Sequence, residues 1–321
     1  MALNFALIGA GGYVAPRHMR AIRDTGNRLV AAADTHDAVG VLDSFAFDVK
    51  FFTEIERFDR HLEKLKRGPA EGRVNWVTIC SPNYLHDAHI RLALRIGAQA
   101  LCEKPLVINP WNLDQLQAIE AETGGKVNTI LQLRVHPSLV ALRERLMKET
   151  GTRHRVQLTY VTGRGAWYHT SWKGQEDRSG GVATNVGIHF FDLLSWLFGE
   201  VTSYGVHLND PMRMSGFLEL KQADVSWFLS VDVSDLPFVP VPGKSSTFRS
   251  IAVDGEELEF TEGFTELHTR VYERTLAGLG FGIEDARPSI ELVYRLRKAP
   301  AVPAGDLAHP YLTERKREAA L

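Results

Sequence analysis

The sequence predicts an α/β protein: an N-terminal Rossmann dinucleotide-binding domain, then a C-terminal α+β domain with a large, open, mostly antiparallel sheet. Three observations carry this. Over the first third, short Val/Ile/Leu-rich runs alternate with helical patterns, the rhythm of βαβ units and of a parallel sheet covered on both faces. The first run ends in a glycine-rich turn, "GAGG". Beyond about residue 150 strand follows strand with turns between, and two helices close the pattern. The expected division is 1–130 for the dinucleotide half and 131–321 for the second half.

In chain order, "NFALIGA" reads as a strand, followed by a helix near residues 15 to 26 and a second strand, "LVAAAD". A longer excursion holds "KFF" and an amphipathic helix from Ile55 to Arg67. "VNWVTICSPN" is a strand leading to a helix over Tyr84 to Ile96; "QALCEKP" leads to a helix from Trp111 to about Glu122; "KVNTILQLR" is the last strand of this half. In the second half "RVQLTYVTG", "TSYGVHL", "MSGFLEL", "DVSWFLSVDV", "STFRSIAVDG" and "EELEFTE" are strands. Asp-Gly within "VDGEE" marks a hairpin, because tight turns need positive φ there. Helices are expected near 265–279 and 284–298, and "TERKREAA" reads as a solvated helix end or frayed terminus.

Composition narrows the function. With 321 residues, 44% apolar and 24% charged, the chain can bury a sizeable core. A net charge of −2 supplies no positive field for nucleic acid or an anionic membrane, and neither is an expected partner. Two cysteines, Cys80 and Cys102, lie in apolar runs and read as buried thiols. No run reaches the ~18 apolar residues of a membrane span, and no basic leader precedes the first strand, so a cytoplasmic location is expected.

The chemistry-bearing motifs begin with Gly9, Gly11 and Gly12, at the end of the first strand and before a helix. There a dinucleotide pyrophosphate rests on backbone N–H groups and the helix N-terminus. Tyr13 and Val14 complete the loop, Val14 standing where the fingerprint has its third glycine. Asp34 ends the second strand, where a carboxylate binds ribose hydroxyls and repels a 2′-phosphate; NAD is therefore expected over NADP. Ser81, Asn83 and His86 fall beyond a later strand, on the rim where open α/β sheets bind ligands. Glu103 and Lys104 close the next strand; a lysine there can stabilise a developing alkoxide. Gln132 is placed near the nicotinamide ribose, and Arg134 and His136 near the same rim.

In "GGVATNVGIHFFDLLSWLFG", Asn185, His189 and Asp192 fall at i, i+4 and i+7 of an otherwise apolar helix, which puts them on one stripe. No metal is expected, since His189 with Asp192 is too small a ligand set. His268, with Tyr272 at i+4, reads as a core or interface histidine.

"GAGG", Asp34, "SPNYLH", "EKP" and "GIHFFDLL" occur in an order that resembles the glucose–fructose oxidoreductase / inositol dehydrogenase / rhizopine-catabolism (Gfo/Idh/MocA) family over the whole chain. The resemblance implies a Rossmann domain, an open sheet used to form a homo-oligomer (dimer or tetramer), and hydride transfer between a sugar-like alcohol and the cofactor. It makes Lys104 and His189 the catalytic pair. Many sugar-oxidising members carry aspartate four residues before that histidine; this chain has Asn185.

"RGAWYHTSWKG", "GGVATNVGIHFFDLL" and "FLSVDVSDLP" further resemble the bacterial UDP-N-acetyl-2-amino-2-deoxyglucuronate dehydrogenases of lipopolysaccharide and O-antigen sugar biosynthesis. These are expected to oxidise the sugar C3 hydroxyl of UDP-N-acetylglucosaminuronate. Such a substrate carries roughly three negative charges, so local cations must hold it. Arg164, Lys173 and Arg178 are the candidates, with Trp167 and Tyr168 packing on the sugar and Thr184 and Asn185 positioning it. Another sugar or cyclitol dehydrogenase of the family, and a non-catalytic NAD-binding sensor, are the competing readings. NADH either leaves or is reoxidised in place by a substrate such as 2-oxoglutarate.

Overall fold

The structure, a computed structural model, describes residues 2–149, 151–241, 243–258 and 266–312. The chain forms two compact units, Met1–Val135 with Gly263–Arg287, and His136–Glu262 with Pro288–Leu321. The linear division expected at residue 130 does not foresee the later segment that joins the first unit.

The first unit contains β1 (Asn4–Ile8), α1 (Ala15–Asp24), β2 (Arg28–Ala33), β3 (Lys50–Phe52), α2 (Ile55–Arg67), β4 (Trp76–Ile79), α3 (His86–Arg95), β5 (Gln99–Cys102), α4 (Trp111–Thr123) and β6 (Val127–Thr129). The strands form one sheet of order β3-β2-β1-β4-β5-β6 with every neighbouring pair parallel. All of β1 is buried, as a strand covered on both faces must be, which is why its sequence is an unbroken apolar run. The order reverses between β1 and β4. This is the switch point at which the loops after neighbouring strands diverge and leave a crevice for a ligand. Helix α1 buries Ala15, His18, Met19, Ala21 and Ile22, a helical stripe in which His18 replaces an expected apolar residue.

The second unit contains α5 (Pro137–Leu146), β7 (His154–Thr162), α6 (Trp167–Thr170), α7 (Glu176–Ser179), α8 (Ile188–Phe198), β8 (Val201–Asn209), β9 (Arg213–Leu220), β10 (Ala223–Ser230), β11 (Thr247–Val253) and β12 (Glu256–Glu257). The sheet order is β12-β11-β7-β10-β9-β8. Its pairs are antiparallel except β7 with β10. Helix α8 lies close on this sheet: a Cβ at Gly187 would stand 2.5 Å from Leu229 Cδ1, and Phe191 meets Trp227 edge-on at 5.3 Å. The hairpin signal is realised between β11 and β12, with φ of 54° at Asp254 and 87° at Gly255. The remainder of "EELEFTE" beyond Leu258, and "TERKREAA", lie outside the described residues.

Two helices follow, α9 (Leu267–Leu276) and α10 (Ile283–Lys298). Helix α9 belongs to the first unit and buries Leu267, His268, Val271, Tyr272 and Thr275. Burial raises the thiols of Cys80 and Cys102 well above their usual pKa, so both stay protonated and unreactive.

Candidate active site

The glycine loop after β1 is built by close main-chain approaches. Gly9 has φ +93°, and a Cβ there would lie 2.6 Å from the carbonyl carbon and oxygen of Cys80 and 2.8 Å from the Ser81 nitrogen. At Gly12 a Cβ would come within 3.1 Å of the Gly9 oxygen. The Gly11 N–H donates to Asp34 Oδ2 at 2.8 Å, and the His36 N–H donates to Oδ1 at 2.9 Å. Asp34 is thus aimed at the loop from the end of β2. Val14 precedes α1, whose N-terminus no side chain caps, and Tyr13 stands exposed with the Arg17 guanidinium over its ring. A bare backbone cradle, an uncapped helix start and a carboxylate at the adjoining strand end fit a dinucleotide without a 2′-phosphate.

The loops after β4 and β5 are tied together. His86 Nδ1 lies 2.7 Å from the Pro105 carbonyl and Nε2 2.8 Å from the Ser81 carbonyl. Burial lowers its pKa, and the two carbonyls oppose that shift. Ser81 Oγ pairs with His89 Nδ1 at 2.8 Å. His86, expected among the cofactor-binding residues, has both ring nitrogens engaged with main chain.

The Glu103 side chain is turned inward: Oε1 accepts from His18 Nε2 at 2.9 Å and from His268 Nε2 at 3.1 Å. The Lys104 N–H approaches Oε2 at 3.3 Å. His18 Nδ1 meets the Tyr272 hydroxyl at 2.9 Å, which meets Thr78 Oγ1 at 2.8 Å. Burial pushes the Glu103 carboxyl up, but the hydrogen bonds from His18 and His268 outweigh it and hold it well below the usual carboxylate range. His18, Glu103 and His268 also form a group of metal-ligating residue types among the described residues. Sequence reasoning missed it, because His18 and His268 stand 85 and 165 residues from Glu103 and share no local pattern. Arg134 is likewise turned to an internal partner, donating to Asp285 Oδ1 at 3.1 Å and to its carbonyl at 3.0 Å.

In the second unit, Ala183–Gly187 is a π-helical turn that runs into α8. The expected α stripe of Asn185, His189 and Asp192 therefore does not hold at its first member: the wider turn shifts the register between Asn185 and His189. Single π turns inside helices recur at functional sites. Asn185 Nδ2 donates to the Tyr168 hydroxyl at 3.0 Å. Burial raises the Tyr168 pKa, against the pull of Asn185 and Arg164. Half-buried His189 packs on Phe190, ring centroids 4.1 Å apart, and edge-on to Tyr160 at 5.9 Å, while Asp192 is buried. The Thr184 hydroxyl is fully buried and finds no hydrogen-bond partner among the described residues, as is true of the buried Gln132 Oε1 in the first unit.

Before that turn, the Lys173 ammonium sits over the rings of Trp167 at 5.4 Å and Trp172 at 5.7 Å. Its pKa is lowered by burial and by the Arg164 guanidinium. A cation pair of this kind can pair with an anion.

Residues 3–130 match the model of the oxidoreductase family with NAD-binding Rossmann fold, and residues 152–224 match that family's C-terminal alpha/beta domain. The chain belongs to the Gfo/Idh/MocA oxidoreductase family. Its first unit is the NAD-binding Rossmann domain and the protein is an NAD-dependent oxidoreductase. Among solved family structures, it is similar to the WlbA (WbpB) dehydrogenase from Thermus thermophilus in complex with NAD and alpha-ketoglutarate. The two share 53% identity and a TM-score of 0.89, over 96% of this chain and 99% of that one. The same enzyme in complex with NAD and UDP-GlcNAcA gives 52% identity and a TM-score of 0.89 over the same shares. The inositol 2-dehydrogenase of Rhizobium meliloti (strain 1021) is 26% identical over 203 residues, 62% of this chain and 56% of that protein. The D-glucoside 3-dehydrogenase of Escherichia coli (strain K12) is 28% identical over 139 residues, 41% of this chain and 38% of that protein. The matches thus span about half or less of these curated relatives. Among the described residues no helix is long and apolar enough to cross a membrane.

Proposed function

We propose that this family member oxidises the C3 hydroxyl of UDP-N-acetylglucosaminuronate to the 3-keto sugar, with reduction of NAD, in the cytoplasmic synthesis of diacetamido-mannuronate sugars for O-antigen. The observation that carries the reading is the loop "RGAWYHTSWKG". It holds Lys173 against Trp167 and Trp172 and within the influence of the Arg164 charge, with Tyr168 tied to Asn185. A diphosphate and a uronate supply the anions such a loop calls for. The Thermus enzyme in complex with UDP-GlcNAcA, at 52% identity, supports the same substrate class.

In this reading Gly9, Gly11, Gly12, Tyr13 and Val14 hold the pyrophosphate, Asp34 binds the adenosine ribose, and Ser81, Asn83 and Gln132 line the nicotinamide side. Bound NAD supplies the hydride acceptor. His189, as neutral imidazole, takes the proton of the C3 hydroxyl. The Lys104 ammonium stabilises the developing alkoxide. With asparagine at 185 no carboxylate assists there, so the proton work falls to His189 and Lys104, while Asn185 and Thr184 position the sugar. A C3 ketone is not β to the C6 carboxylate, so the product is not primed to lose CO₂; a C4 ketone would be. The six-stranded sheet of the second unit would serve a homo-oligomer, a tetramer in the simplest case, which light scattering measures directly.

The test is incubation with NAD and UDP-N-acetylglucosaminuronate, following NADH and trapping the ketone. A parallel reaction with 2-oxoglutarate reads 2-hydroxyglutarate, since the Thermus enzyme was crystallised with alpha-ketoglutarate. Oxidation of UDP-N-acetylglucosamine but not of the uronate would assign a different sugar. NAD binding without turnover of either would leave a sensor. Lys104→Ala is expected to abolish turnover and retain NAD.

A further inference from the structure

We infer that Glu103 is a positioning residue for Lys104, held as an oriented carboxylate by donors from two helices. The inference rests on the role of Lys104 given above.

Its geometry fixes where each proton lies. A carboxylate only accepts, so both His18 Nε2 and His268 Nε2 must carry hydrogen. His18 then has Nδ1 as an acceptor, which the Tyr272 O–H fills, and the Tyr272 oxygen accepts from Thr78 Oγ1. Thr78 lies on β4, Tyr272 and His268 on α9, His18 on α1, and the chain ends on the residue beside Lys104. Glu103 Oε2 faces the main-chain N–H of Lys104 at 3.3 Å, so the array orients the backbone that aims the ammonium. The set is buried throughout, and such networks specify one arrangement when every member is satisfied.

The titratable groups facing this carboxylate come from every element around it. From α1 come His18 and, beside it, Arg17; from α9 come His268 and Tyr272. Cys80, His86 and Cys102 complete the set next to Lys104, the cysteines held protonated by burial. Burial also lowers the His18 pKa, which keeps its Nδ1 able to accept. The hydrogen bonds from His18 and His268 are what oppose the burial of Glu103. With one donor gone, burial acts against the anion with less opposition. The carboxylate also loses one of the two contacts that orient it, and with it the hold on the Lys104 main chain.

The test uses the full chain. Wild-type turnover with NAD and UDP-N-acetylglucosaminuronate is measured first; its absence overturns the function above without touching the array. Side-chain ¹⁵N NMR, which needs no substrate, is expected to show His18 neutral with Nε2 protonated from about pH 5 to 8; an imidazolium there overturns the array. In His268→Leu kcat should fall about tenfold, with the KM for the nucleotide sugar and the Kd for NAD within about twofold. His268→Gln, whose amide can donate to the carboxylate, should restore kcat. An unchanged kcat in a His268→Leu protein that binds NAD overturns the inference, as does one equivalent of zinc in the purified protein. Should His268→Leu fail to bind NAD, Tyr272→Phe, which removes only the hydroxyl that sets the His18 tautomer, must lower kcat as well, and an unchanged kcat there overturns the inference too.

Discussion

Replacing Gly9 by alanine should damage this protein far more than the same change at Gly26, although both glycines have positive φ. Gly9 has φ +93° and Gly26 +75°, so each alanine carries left-handed backbone strain of about 1–2 kcal/mol. They differ in what the new methyl meets. At Gly26 nothing lies within 4 Å, whereas at Gly9 the methyl would sit 2.6 Å from the Cys80 carbonyl carbon and oxygen and 2.8 Å from the Ser81 nitrogen. Those atoms are main chain and cannot swing aside. Overpacking of this kind costs roughly 1–3 kcal/mol. The expected losses are therefore about 4 kcal/mol for Gly9→Ala and about 1 kcal/mol for Gly26→Ala. Relief in Gly9→Ala must separate the loop after β1 from the loop after β4, which displaces the Gly11 N–H from Asp34. The Kd for NAD should rise at least about tenfold, a change of ~1.4 kcal/mol, and stay unchanged in Gly26→Ala. Urea unfolding followed by circular dichroism, with NAD titration by fluorescence, measures both. Equal stability losses in the two variants, or NAD affinity unaltered in Gly9→Ala, would refute the packing argument.

Asp34→Ala removes the carboxylate that repels a 2′-phosphate, so the NAD-to-NADP ratio of kcat/KM should fall at least about tenfold, the effect of ~1.4 kcal/mol; an unchanged ratio would remove Asp34 from cofactor choice. Lys173→Met keeps an apolar stem over Trp167 and loses the charge; KM for the nucleotide sugar should rise about tenfold at constant kcat and become less sensitive to salt. Thr184→Val deletes a buried hydroxyl that has no hydrogen-bond partner among the described residues. It should stabilise the protein by about 1 kcal/mol while lowering turnover, and a gain in both would take Thr184 out of the site. Burial lowers the pKa of His89 to about 4 and of His309 to about 3, from 6.5. The unfolded chain therefore binds protons that the folded chain refuses, so stability is full above pH 6.5 and declines as pH falls from there toward 4 and 3. A urea midpoint that stays flat between about pH 7 and 4.5 would contradict this.

Much of the fold could be read from local pattern. Continuous apolar runs marked the strands of a sheet covered on both faces, and the helix expected around Ile55 to Arg67 is α2. The Asp254–Gly255 turn was legible because a two-residue hairpin demands positive φ. Where the reading slipped, periodicity carried too little information. A helical wheel assumes 3.6 residues per turn, and nothing in "ATNVG" announces the π turn that moves Asn185 off the stripe of His189. Polar residues at a sheet rim look alike in sequence, and only packing shows that His86 meets the Ser81 and Pro105 carbonyls while Glu103 meets His18 from α1 and His268 from α9.

The sequence by itself determined the class of both halves, the glycine loop with its strand-end carboxylate, and the presence of Lys104 and His189 in their motifs. Each of these depends on residues close together in the chain or on spacing within one element. Only the tertiary structure decided what the side chains of His18, Glu103, His268 and Tyr272 meet, and how Lys173 and Arg164 share their aromatic loop. The reason is physical: backbone propensity and periodicity act over a few residues, whereas the pairing of a buried charge is settled by whichever donors packing delivers to it.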